Sequence, residues 1–157
     1  MTGEVRTASK HDSKVFLDKS ILVVPEGPIG FDGIKYRNSK GELSYLERLA
    51  SQYRKVILVA YAFRPGHPDY EGVAHSVFQS KNLSVKELCL AKPGASVVAR
   101  LLQLSGVFRT LWVEGREADV MYLFTPSYPS ALAWIVARLR GKPHFVYAAD
   151  DWEAAAS

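Results

Sequence analysis

Four short, largely apolar runs mark the chain: Ile21–Val24 closed by Pro25, Val56–Ala62, Ala118–Phe124 and His144–Ala148. Runs of this length suit strands covered on both faces, as in a parallel sheet. Between the first two, Leu43, Leu46, Leu49 and Ala50 recur at spacings of three and four, which predicts an amphipathic helix over 42–53. Residues 63–72 hold Pro65, Gly66, Pro68 and Gly72 and read as a loop, with short strands over 75–79 and 84–90. Pro93 opens a helix whose stripe is Val97, Leu101, Leu104, Phe108 and Leu111, widened by Val98 and Trp112. The expected role of that stripe is to cover the sheet. The other reading, with Arg100, Arg109 and Arg116 nearby, is contact with a membrane surface. A last helix spans 129–140, with Ser127 or Tyr128 at its mouth, and stops at Gly141 and Pro143.

The alternation of strands and helices predicts an α/β fold: a doubly wound, Rossmann-like, mainly parallel sheet with helices on both faces and the four runs at its centre. Residues 1–19 are polar and read as a flexible leader; 20–152 form one domain; 153–157 are a tail. Ligands in such sheets bind beyond the carboxyl ends of the strands, where the strand order reverses. Residues 26–36, 125–129 and 149–152 are expected to meet there.

Composition narrows the class. The chain has 157 residues, 48% hydrophobic and 23% charged, within the globular range. The net charge of +4 is scattered, so no basic face for nucleic acid emerges. One cysteine, Cys89, excludes an internal disulfide or a cysteine metal site and makes a reducing, cytoplasmic compartment the default. The four histidines show no helical metal-ligand pair, no signal peptide precedes the domain, and no apolar run spans a membrane. No metal and no cofactor is expected.

Two features carry candidate chemistry. The loop Glu26–Gly33 has glycines at 27, 30 and 33. Their spacing fails the dinucleotide fingerprint, and there is no Walker loop. The glycines could let the backbone approach a ligand, with Asp32 beside them as a further contact, or could simply form turns. The second feature is the pair Asp150-Asp151 after the last strand. Carboxylates at that edge serve as general bases or accept sugar hydroxyls; alternatively, one caps a following helix.

The ordered set Ala118-Asp119-Val120, the helix ending at Gly141-Lys142-Pro143, the strand His144–Ala148 and Asp150-Asp151-Trp152 resembles the N-terminal domain of the family 4 glycosyltransferases, over about residues 20–152. That family has two facing Rossmann-like domains. The resemblance implies a domain that holds a sugar or lipid-linked acceptor, with the nucleotide-sugar bound by a second domain or a partner chain. It also implies Gly27, Gly30 and Gly33 along the cleft against the donor phosphates, Thr125 and Ser127 facing the acceptor, and Asp150 as the catalytic carboxylate near the transferred sugar; Asp151, from the acidic pair, is a further candidate substrate contact. The chain departs from the family pattern at Ala149, where an Arg is common, and at Glu153, where a Pro is common. The donor half is not within the 157 residues, so the chain by itself is expected to be inactive. The implied setting is the cytoplasm, with room for peripheral contact at the inner face of a membrane. The competing reading is a non-catalytic Rossmann-like binding or regulatory domain.

Overall fold

The computed structural model describes residues 18–89, 94 and 96–148. The strands are β1 (Ser20–Val24), β2 (Ile29–Phe31), β3 (Tyr36–Asn38), β4 (Lys55–Phe63), β5 (Ser76–Val77), β6 (Leu83–Leu88), β7 (Val120–Thr125) and β8 (His144–Ala148). The helices are α1 (Lys40–Gln52), the single turn α2 (Tyr70–Val73), α3 (Val97–Glu117) and α4 (Tyr128–Leu139). Five strands run parallel in the order β6-β4-β1-β7-β8. The order reverses beside β1, because the chain first builds outward through β4 and β6 and then returns to its other side through β7 and β8. This is the doubly wound α/β architecture expected from the sequence.

Alternation along the strands sends their side chains to two cores. Leu22, Val24, Ile57, Val59, Met121 and Leu123 meet Val107 and Leu111 of α3 and Ala133, Val136 and Ala137 of α4. Ile21, Val23, Val56, Leu58, Ala60 and Val120 face the other way, onto Leu46, Leu49, Ala50 and Tyr53 of α1. Each fully buried aliphatic side chain contributes about 1.5–3 kcal/mol. Two-sided burial is therefore what drives β1 and β4 to the centre.

Three expectations are corrected. First, among the described residues β8 is an edge strand, paired only with β7, and Phe145, Val146 and Tyr147 are half exposed. Second, the glycine loop is not loop throughout. β2 lies inside it and forms an antiparallel hairpin with β3 just beyond it, and β2 pairs with the last residues of β4, Ala62 and Phe63. Third, only the C-terminal half of the α3 stripe lies on the sheet. Val97, Val98, Leu101 and Leu102 are exposed, and the buried positions are Val107, Leu111 and Gly115. The helix has 21 residues, about 32 Å, against six residues, about 20 Å, in the preceding strand β6, so its first turns overhang the sheet. Gly115 permits the close approach: a Cβ there would meet Val136 of α4 at 3.4 Å. Among the described residues no helix is long and apolar enough to cross a membrane.

Candidate functional site

The loops that follow β1 and β7 straddle the point where the strand order reverses. β1 ends at Val24, and Pro25 turns the chain out of the sheet. β7 ends at Thr125, and Ser127 caps α4: its Oγ accepts from Ser130 N (3.2 Å) and donates to Ser130 Oγ (2.8 Å), which in turn donates to the Phe124 carbonyl (2.5 Å). A side-chain oxygen at this position satisfies one of the orphan amides of the first turn.

Two cavities flank Pro25. The first, about 180 Å³, lies on the α4 side and is lined by Glu26, Gly27, Tyr61, Ser127 and Tyr128, with an apolar floor that includes Val24, Val59 and Leu88. Tyr61 and Tyr128 stand 5.9 Å apart between ring centroids. Gln103 of α3 donates to the Tyr128 hydroxyl (2.8 Å) and reaches the Tyr61 hydroxyl at 3.5 Å. Burial pushes the Tyr128 hydroxyl up from its ordinary pKa, so it is a neutral donor and acceptor. The second cavity, about 200 Å³, lies on the α1 side and is lined by Pro25, Gly41, Glu42, Tyr45, Leu46 and Phe124. Burial pushes the Glu42 carboxyl above the usual carboxylate range; the Asn38 amide beside it acts the other way, and Glu26 adds to the rise.

Among the described residues, no lysine, arginine or histidine lines either cavity. Binding of a phosphate depends on such groups or on clustered backbone amides. The two carboxylates give the crevice the opposite sign. It suits a neutral ligand with hydroxyl groups and an apolar face. Among the described residues no cluster of three or more His, Cys, Asp or Glu could hold a metal ion.

The structure brings two of the expected site residues, Gly27 and Ser127, to the first cavity. Thr125 sits at the carboxyl end of β7, its hydroxyl donating to the Tyr147 carbonyl of β8 (3.3 Å). Gly30, Asp32 and Gly33 line neither cavity. Gly30 lies within β2, opposite Arg37. Asp32 builds the hairpin turn: its Oδ1 accepts from Ile34 N (2.9 Å) and Lys35 N (2.8 Å), and its Oδ2 pairs with Arg37 Nε (2.9 Å). The Lys35 and Ile34 amides, and then Arg37, hold its pKa down at about 2. Gly33 takes φ +97 in the same turn, a conformation that favours glycine. Asp150 and Asp151 lie outside the described residues. Tyr61, Gln103, Tyr128, Glu42 and Tyr45 were not among the expected site residues. No spacing in the sequence links them; tertiary packing does.

No family model matches the chain, and no curated protein matches it. Among solved structures, the chain is similar to two of the C-terminal domain of a hydrogenase from Pyrococcus furiosus. One is 13% identical, with a TM-score of 0.44, over 82% of this chain and 90% of that chain. The other is 14% identical, with a TM-score of 0.45, over 92% of this chain and 100% of that chain.

Proposed function

We propose that this chain is the acceptor-side domain of a glycosyltransferase and that the crevice beside Pro25 receives a sugar-bearing acceptor, free or lipid-linked. The observation that carries the reading is the lining of the two cavities. Tyrosine hydroxyls, aromatic faces and carboxylates meet at the strand-order reversal, with no cation among the described lining residues. That chemistry matches hydroxyl-rich rings. The nucleotide-sugar would be held by a second domain or a partner chain, and transfer would need both surfaces together. In this reading Asp150, two residues beyond β8 in the sequence, is the candidate catalytic carboxylate. A lipid-linked acceptor would bring the domain to a membrane surface, and the exposed apolar start of α3 supports that contact.

The alternative is a non-catalytic binding domain. It is favoured by the engagement of the Thr125 and Ser127 hydroxyls in the scaffold, which leaves them no part in chemistry. A titration of the ¹⁵N-labelled chain separates acceptor from donor binding. Neutral glycosides are expected to shift the amides of Gly27, Tyr61 and Tyr128 or of Glu42 and Tyr45, and a nucleotide-sugar to shift none of them. Nucleotide-sugar binding in this crevice, or no response to any glycoside, would refute the proposal.

A further inference from the structure

Glu42 stands where a helix-capping residue is expected and does not cap. Ser39-Lys40-Gly41-Glu42 has the spacing of a capping box, in which the glutamate reaches back to the amide of the N-cap serine. Here the Ser39 amide instead donates to Asn38 Oδ1 (2.7 Å), and the Ser39 side chain makes no capping bond. None of the ion pairs among the described residues involves Glu42. The Asn38 side chain beside it is fully buried; its Nδ2 makes no hydrogen bond of good geometry, and the Glu42 carboxyl is the polar group it faces. Glu42 thus lines this cavity as a carboxyl engaged by neither the helix cap nor an ion pair, with the Asn38 amide as its polar neighbour.

The cavity walls define what would use this carboxyl. Tyr45 and Phe124 stand edge to face, with ring centroids 5.8 Å apart, and with Pro25 and Leu46 they form an apolar surface against which Glu42 is the polar exception. At about 200 Å³ the space is below the roughly 300 Å³ where drug-sized sites begin, and its size suits a single ring. A sugar ring has an apolar face for the aromatic wall and hydroxyls for the carboxyl. We propose that Glu42 is the acceptor-recognising residue of this cavity, accepting a hydrogen bond from a hydroxyl of a single neutral sugar ring that lies against Tyr45 and Phe124. This rests on the acceptor reading above and adds the subsite and the group that selects the ligand.

The test uses the full ¹⁵N-labelled chain, the methyl glycosides of glucose, mannose and galactose as probes, and the variants Glu42→Gln and Glu42→Ala. At least one glycoside is expected to shift the amides of Gly41, Glu42, Tyr45 and Phe124. Its affinity is expected to fall about tenfold in E42A and by at most about threefold in E42Q, which keeps one acceptor oxygen. If E42A loses the fold, Glu42→Asp, which withdraws the carboxyl by one methylene, carries the test with the same expected loss. Unchanged affinity in the folded E42A or E42D variant overturns the assignment. Shifts confined to Gly27, Tyr61 and Tyr128 also overturn it, while leaving the acceptor reading intact. No response from either set overturns both. Tighter binding of methyl glucosaminide than of the neutral glycosides would make Glu42 a cation site and reject the neutral ring.

Discussion

The ammonium of Lys142 donates to the carbonyl of Ala118 at 2.7 Å, joining the turn after α4 to the start of β7. Both residues belong to the segments that carry the resemblance to glycosyltransferases, and both sit at the amino edge of the sheet, opposite the crevice. Asp119 has a similar role there: its carboxylate accepts from the Ser20 amide (2.7 Å), tying β7 to β1. The recognisable segments Ala118-Asp119-Val120 and Gly141-Lys142-Pro143 are therefore scaffold. They bear on the fold, and the function has to be argued from the other edge. Lys142→Met is expected to cost about 1 kcal/mol in urea unfolding and to leave glycoside affinity unchanged. A change in affinity without a change in stability would contradict the scaffold role.

The hairpin turn predicts a pH dependence. Asp32 is held at about 2, below its unfolded value near 3.9, so its stabilisation is present above about pH 4 and is lost as pH falls through about 2. Asp32→Asn should lower the urea midpoint at pH 7, and the gap from the parent chain should close between about pH 4 and pH 2. Glu42 has the opposite sign. Its raised pKa costs stability once pH passes the ordinary glutamate range, so Glu42→Gln is expected to be no less stable than the parent at pH 7. Paired urea titrations across pH check both.

Two glycines of one loop are expected to behave differently. Gly33, at φ +97, should lose about 1 kcal/mol on substitution by alanine. A Cβ on Gly27 would meet nothing within 4 Å, and its φ is not positive, so Gly27→Ala should change stability by less than about 0.5 kcal/mol. The added methyl lines the first cavity, and any effect should fall on ligand affinity.

The phase of α3 gives a third contrast. Leu111 is fully buried between the sheet and α4, and Leu111→Ala should cost about 3 kcal/mol. Leu101, from the same apparent stripe, is 60% exposed, and Leu101→Ala should cost less than about 0.5 kcal/mol. Equal losses would mean that α3 lies on the sheet along its whole length.

These contrasts show how far the sequence could be read. Strands covered on both faces announce themselves through unbroken apolar runs, and β1, β4 and β7 are read correctly for that reason. β8 carries the same signal but has one neighbour among the described residues, and nothing in its five residues says which strand lies beyond them. β2 and β3 have three residues each, too few for a period. α3 misleads because its apolar residues continue past the end of the sheet that would bury them. The site follows the same logic. Gly27 and Ser127 are legible because loops at strand ends are where ligands bind. Tyr61, Gln103 and Tyr128 come from three separate elements and meet only when the sheet is wound. Glu42 is hidden by a spacing that reads as a helix cap.

The central claim is a location: the crevice beside Pro25 is where a sugar-bearing acceptor sits. The direct measurement is paramagnetic relaxation enhancement on the ¹⁵N-labelled chain from a glycoside carrying a nitroxide tag. The strongest broadening is predicted at residues 25–28, 41–46 and 124–130. Maximal broadening at the exposed start of α3, or at the hairpin turn 32–35, would contradict the account.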